Sequence, residues 1–210
     1  MKFSSEQISS LYSGDRRSVF IHRGDISDPI ICDELIVLSG SFNPFHKGHI
    51  TLLEKAEKMS GRTGVFEISI ENVDKPRMSR EELDIRLSPL IGLRDVIITR
   101  SPLFFEKWEQ LKGAWFVIGF DTAIRLINDK YYSDNDNWPT ATFGLEKMTY
   151  SGTKFIVGGR IDNNGIFKTG EDLKIPKSVK DLFIFLNEDK FRVDVSSSQL
   201  RENTLNDVQT

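Results

Sequence analysis

Residues 34–49 read Glu34-Leu35-Ile36-Val37-Leu38-Ser39-Gly40-Ser41-Phe42-Asn43-Pro44-Phe45-His46-Lys47-Gly48-His49. The stretch opens on a short apolar run, Glu34 to Leu38, of the kind that fills a strand buried on both faces of a parallel sheet. Ser39-Gly40-Ser41 breaks the run. From about His49 to Met59, Ile50, Leu52, Leu53 and Ala56 recur at helical spacing, and Gly61 suits the helix stop. Strand, glycine turn and helix follow one another with no residues to spare.

Outward from this unit the same alternation repeats. Val65 to Ile70 predicts a second strand. Ser79-Arg80-Glu81-Glu82 is a capping-box pattern that opens a helix running to about Ile91. Arg94 to Thr99 predicts a third strand. Ser101-Pro102 offers an N-cap and a first-turn proline for a helix to Leu111. Trp115 to Ile118 predicts a fourth strand ending at Gly119, with a helix from about Asp121 to Ile127. Tyr131 to Asn137 reads as a polar loop, and Thr140 to Met148 as a helix. Lys154 to Val157 predicts a fifth strand, and Asp162-Asn163-Asn164-Gly165 a tight turn in a small hairpin reaching Phe167. A short helix over Pro176–Asp181, a last strand over Leu182–Leu186 and a helix capped at Ser196 to Ser198 complete the core.

Such alternation implies an α/β fold: a Rossmann-like three-layer sandwich with a mainly parallel sheet and right-handed crossovers. Ligands in such sheets bind beyond the C-terminal ends of the strands. Residues 1–33 fit the scheme poorly and read as an N-terminal extension packing on the core, with a helix over Phe3–Leu11 and a short extended piece at Val19-Phe20-Ile21. Residues 34–203 form the main domain, and 204–210 are expected to fray.

Composition narrows the function. Of 210 residues, 28 are Lys or Arg and 31 are Asp or Glu, giving a formal charge of −3. No basic excess exists to neutralise a nucleic-acid polymer. No apolar run approaches the ~20 residues that span a bilayer, and the N-terminus lacks a secretory core, so a cytoplasmic protein is expected. Cys32 is the single cysteine, which excludes an internal disulfide and a thiolate zinc cluster and predicts a small buried apolar residue. Of three histidines, His46 and His49 sit one helical turn apart, and His22 lies outside.

The segment 39–49 carries the chemistry. Gly40 permits close backbone approach, and the main-chain groups of Gly40, Ser41 and Phe42 can hold phosphate oxygens. The helix that begins near Lys47 adds a field favourable to anions, and Lys47 adds a cation. His46 and His49 project from the same side of the first turn, where two imidazole donors can bind a phosphate as it gains charge. The alternative is two surface histidines on an amphipathic helix. A metal site from the pair alone is not expected, because no carboxylate or cysteine adjoins them.

Gly40-Ser41-Phe42-Asn43-Pro44-Phe45-His46-Lys47-Gly48-His49 resembles the phosphate-binding signature of the HxGH nucleotidyltransferase superfamily. The glycine-serine-phenylalanine-asparagine-proline lead-in is most similar to nicotinamide and nicotinate mononucleotide adenylyltransferases. Gly119-Phe120-Asp121-Thr122 resembles their GxDT turn, and Val195-Ser196-Ser197-Ser198-Gln199-Leu200-Arg201 their C-terminal serine-rich motif. Asn72-Val73-Asp74-Lys75-Pro76, Gly158-Gly159-Arg160 and Phe191-Arg192-Val193-Asp194 look most like a cytidylyltransferase-like branch. No close match to the relatives' nicotinamide-holding tryptophan segment is present: Trp108, Trp115 and Trp138 are differently placed.

The resemblance implies transfer of AMP from ATP, carried with Mg²⁺, to a phosphorylated small-molecule acceptor, foremost nicotinamide or nicotinate mononucleotide. Cytidylyl or adenylyl transfer to another phosphorylated small molecule, or a non-catalytic nucleotide-binding sensor, are the alternatives. It implies His46, His49 and Arg201 as catalytic groups and Ser197 and Ser198 as triphosphate ligands, with Gly119 and Asp121 at the nucleotide. Asp121 could equally cap its helix, Ser197 or Ser198 could be plain N-caps, and Arg201 a solvated helix residue. Lys75, after the second strand, is a candidate acceptor contact or a member of a solvated basic loop. Trp138 either stacks on a base or anchors its loop to the core.

Overall fold

A computed structural model describes residues 6–27, 32–73, 76–132, 139–162 and 164–189. In chain order the elements are α1 (Glu6–Ser13), β1 (Ser18–His22), β2 (Asp25–Ser27), β3 (Leu35–Ser39), α2 (Lys47–Ser60), β4 (Thr63–Ser69), α3 (Arg80–Leu87), β5 (Val96–Thr99) and α4 (Phe104–Gln110). They continue with β6 (Trp115–Gly119), α5 (Phe120–Leu126), α6 (Ala141–Thr149), β7 (Phe155–Gly158), β8 (Arg160–Ile161), β9 (Phe167–Lys168) and β10 (Phe183–Leu186).

The main sheet is ordered β10-β7-β6-β3-β4-β5-β1-β2. The six strands from β10 to β5 are parallel, and β1 and β2 add an antiparallel edge. The chain is therefore a Rossmann-like α/β sandwich. Helices α1, α2 and α3 bury Ile8, Leu11, Leu52, Leu53, Leu83 and Leu87 against one face of the sheet. Helices α4, α5 and α6 bury Phe105, Phe120, Leu126 and Leu145 against the other. The central strand β3 shows why its apolar run is continuous: Ile36 and Leu38 face the first helix layer, and Val37 the second.

Local signals explain most element ends. Gly61 takes a left-handed φ of 70° and closes α2 with its N–H on the Glu57 carbonyl at 2.8 Å. Ser79 Oγ accepts from the Glu82 N–H at 3.1 Å to start α3, and Thr140 Oγ1 does the same from Phe143 for α6.

Five sequence expectations are corrected or refined. Ser101 does not cap α4, which starts at Phe104 with Leu103 before it. Ser101 is buried instead, its N–H donating to Thr99 Oγ1 and its Oγ accepting from Gln110 Nε2, while the Glu106 carboxylate accepts the Leu103 N–H. Helix α3 stops at Leu87 rather than Ile91, and the chain continues as turns to Gly92, whose φ is 89°. Tyr132, read as part of a polar loop, is 3% exposed, with its hydroxyl on the Leu126 carbonyl. The piece at Val19-Phe20-Ile21 is a full strand of the main sheet, paired with β5. Cys32 is half-buried rather than buried, and burial raises its thiol pKa.

Candidate active site

β3 and β6 lie side by side and parallel. From β3 the chain winds outward through β4 and β5, then α4 carries it back across to β6 and on to β7. The order reverses between β3 and β6, so the crevice beyond their C-terminal ends is the topological switch point. Gly40 follows the end of β3 and Gly119 ends β6, which brings the two motif turns to this crevice.

The first turn is built around Phe42. This residue takes a left-handed φ of 45°, unfavourable for a bulky side chain by about 1–3 kcal/mol. Its ring is 2% exposed and folds back beneath Gly40, where a Cβ would stand 2.7 Å from Phe42 Cε1. The Gly40 N–H donates to the Glu67 carbonyl at 3.0 Å. Two parts of the sequence reading change here. Gly40 is glycine to admit the Phe42 ring, and its N–H is spent on β4 rather than free for phosphate. The N–H groups of Ser41 and Phe42 have no protein acceptor among the described residues. The turn is clamped from outside by Arg86 on α3, whose Nη1 donates to the Ser41 carbonyl at 2.9 Å.

The histidines stand at the start of α2. His46 is the N-cap in extended conformation, Lys47 the first helical residue, exposed, and Gly48 is buried. The His46 backbone N–H donates to His49 Nδ1 at 3.2 Å. A neutral imidazole that accepts at Nδ1 carries its proton on Nε2, so His49 presents an N–H donor on its other edge. The two rings lie 3.8 Å apart between centroids, and the His49 ring also stacks on Phe45 at 5.5 Å and meets Phe42 edge-on at 5.1 Å. Burial, then the neighbouring His46, pushes the His49 pKa down to about 3. Burial lowers that of His46 as well. Among the described residues, His46 Nδ1 and Ser39 Oγ are buried polar atoms without a hydrogen-bond partner. Both belong to the segment that joins β3 to α2, where unsatisfied buried polar atoms are uncommon in folded proteins.

The second turn lies across the crevice. Gly119 and Gly158 are partners in register at the ends of β6 and β7, so this edge of the sheet carries no side chain. A Cβ on Gly119 would meet nothing within 4 Å. Gly119 itself is the N-cap of α5, which sets aside the capping role for Asp121. Asp121, 61% exposed on the first turn, is paired instead with Arg160 Nη1. Arg160 is held by the β8–β9 ladder, and Gly159 is bare because a Cβ there would strike the Phe167 ring at 2.4 Å and the Lys168 carbonyl at 2.7 Å.

An open cleft borders the second turn through Thr122. Asn72 follows β4, Leu103 and Phe104 follow β5, Thr122 and Arg125 come from α5, and Tyr131 and Tyr132 close the far wall. The Arg125 guanidinium lies 6.0 Å from the Tyr131 ring centroid. Planar walls with one cation suit a ring-bearing, negatively charged ligand.

The structure thus brings Gly40, Ser41, Phe42, Lys47, His46 and His49 to the end of β3, and Gly119 and Asp121 to the neighbouring strand end. Lys75, Trp138, Ser197, Ser198 and Arg201, with the expected C-terminal helix, lie outside the described residues. Sequence reasoning missed Arg86, the Arg160 partner of Asp121, and a buried ion pair. In that pair Lys107 Nζ sits 2.7 and 2.9 Å from the Glu67 carboxylate, which also accepts from Thr99 Oγ1 at 2.6 Å. Its signal was available: a glutamate inside the apolar run Val65 to Ile70 needs a buried cation. His22, at the end of β1, pairs through Nδ1 with Asp95 just before β5 at 2.8 Å.

A family model described as cytidylyltransferase-like matches residues 37–203. The chain is also 27% identical over 141 residues to a Schizosaccharomyces pombe protein named "Putative nicotinamide mononucleotide adenylyltransferase". That alignment covers 60% of this chain and 54% of the yeast protein, so the chain spans about half the length of that relative.

Proposed function

The chain belongs to the cytidylyltransferase-like family, and from that premise we propose that it transfers a nucleotidyl group from a nucleoside triphosphate to a phosphorylated small molecule, releasing pyrophosphate. ATP with nicotinamide or nicotinate mononucleotide is the leading pair. An oxygen of the acceptor phosphate attacks the α-phosphorus. The bond from that phosphorus to the oxygen bridging to the β-phosphate breaks, and its electron pair leaves with pyrophosphate. The attacking phosphate is already ionised, so no general base is needed, and positioning with charge stabilisation supplies the rate.

The observation that carries the reading is the pair of neutral imidazoles at the start of α2, one with a buried nitrogen that has no partner among the described residues. Kept neutral by burial, with the His49 ring packed against Phe42 and Phe45, they donate to phosphate oxygens without changing protonation. The N–H groups of Ser41 and Phe42 and the start of α2 receive phosphate, with Lys47 at the rim. Asp121 and the bare Gly119 edge take the nucleoside. The aromatic cleft takes the acceptor, with Lys75 and Trp138 as candidate acceptor contacts, and the resemblance assigns Ser197, Ser198 and Arg201 to the triphosphate. Mg²⁺ would travel with the triphosphate and offset its charge. The imidazoles, amides and hydroxyl of the site suit phosphate oxygens, so the cation would be held by phosphate and water. No helix among the described residues is long and apolar enough to cross a membrane.

A thermal-shift screen of ATP, CTP, NAD and deamido-NAD tests the reading. A ligand at 100 times its Kd adds about 2.7 kcal/mol of stability. A dinucleotide product should raise Tm more than ATP, because it fills both halves of the crevice. An unchanged Tm with all four would overturn the substrate class.

A further inference from the structure

We propose that Arg86 is a positioning residue for the triphosphate, acting through the Ser41–Phe42 peptide; the inference rests on the phosphate-turn reading above. Arg86 lies in the last turn of α3, and its side chain is 11% exposed. One arm of its guanidinium is fixed by Glu82 one helical turn back. Nη1 of the same plane donates to the Ser41 carbonyl at 2.9 Å. The planar fork makes both contacts at once, so the position of α3 sets the position of the turn.

The consequence falls on the opposite edge of that peptide. A peptide is planar, and among the described residues the Asn43–Pro44 bond alone is cis. The Phe42 N–H therefore points away from the Ser41 carbonyl that Arg86 holds. It has no protein acceptor among the described residues. A cation hydrogen-bonded to the carbonyl polarises the peptide and strengthens that N–H as a donor. The left-handed φ of Phe42 shows the same peptide held against its own preference, by the buried ring on one side and Arg86 on the other. Arg86 also keeps a buried Nε with no partner among the described residues, a cost that stability alone does not explain. Arg86 thus ties the Ser41 carbonyl to the Glu82 carboxylate through one largely buried guanidinium.

The readout is the ratio of ATP affinity to adenosine affinity, measured by calorimetry on the full chain. Loss of general structure weakens both ligands together, whereas loss of turn geometry weakens only the one with phosphates. In Arg86→Met the ratio should fall about tenfold, the size of one charge-assisted hydrogen bond. Arg86→Lys retains the charge but not the fork. It should fold even if the methionine variant does not, and should lose an intermediate share of the ratio. An unchanged ratio in a folded variant, with the wild type preferring ATP, would overturn the role of Arg86 and leave the phosphate turn standing. A wild type that binds ATP no better than adenosine would overturn both.

Discussion

Replacing His49 by asparagine should flatten the acid limb of the protein's stability curve. In the fold this imidazole is neutral, with its pKa pushed from 6.5 to about 3 by burial and by His46. In the unfolded chain it protonates near its ordinary value. A depressed folded pKa means that the stability is fully present above pH 6.5 and is lost as pH falls towards 3. At pH 5 the unfolded state gains about 2 kcal/mol from this one residue, by the ratio of the two proton-binding factors. That figure hardly changes for any folded pKa below about 4, because the imidazole is then still neutral at pH 5. His46 adds in the same direction. Asparagine places an acceptor near the position of Nδ1, so the His46 N–H at 3.2 Å keeps a partner, and the titration disappears. Urea denaturation at pH 7.5, 6 and 5 measures the difference. The wild type should lose about 2 kcal/mol more than His49→Asn between pH 7.5 and 5. Parallel curves would mean that His49 is solvated and chargeable, and the neutral-donor mechanism would lose its basis.

Three further outcomes follow from the geometry. Gly119→Ala should leave stability within about 0.5 kcal/mol, because its Cβ meets nothing, yet weaken nucleotide binding, whereas Gly40→Ala should cost about 1–3 kcal/mol by displacing the Phe42 ring; melting curves and ATP titrations separate them. Lys107→Met should destabilise by about 3–5 kcal/mol by stranding the Glu67 carboxylate, and adding Glu67→Gln should restore most of that in the same denaturation assay. Arg160→Ala should change stability by less than about 1 kcal/mol, since its pair with Asp121 is solvent-facing, while raising KM for the triphosphate in steady-state kinetics.

The parts of the fold legible in the sequence are those governed by local rules. The Leu35–Leu38 run, the Gly61 stop, the Ser79 and Thr140 caps and the strand ending at Gly119 each depend on a few adjacent residues. The switch point followed, because one strand–turn–helix unit in a parallel sheet fixes where ligands enter. What escaped depends on partners far along the chain. Gly40 was assigned to phosphate, but its reason is a ring two residues on that folds back only because the rest of the core receives it. Ser101-Pro102 has the local pattern of a helix start, yet the buried chain of Thr99, Glu67 and Lys107 draws Ser101 inward. Arg86 reads as an ordinary residue of a charged helix, and its bond to Ser41 spans 45 positions. The extended piece at Val19-Phe20-Ile21 foreshadowed β1, but its partner β2 escaped because a three-residue strand such as Asp25–Ser27 carries no periodicity.

The central claim is that two uncharged histidines at the end of β3 accelerate nucleotidyl transfer. Pyrophosphate release from ATP and nicotinamide or nicotinate mononucleotide, compared among the wild type, His46→Ala and His49→Ala with ATP affinity measured alongside, tests it most directly. Each variant should lose about 10²–10³ in rate with ATP binding largely kept. Equal rates in all three proteins, or tight ATP binding with no pyrophosphate from any triphosphate–acceptor pair, would contradict it.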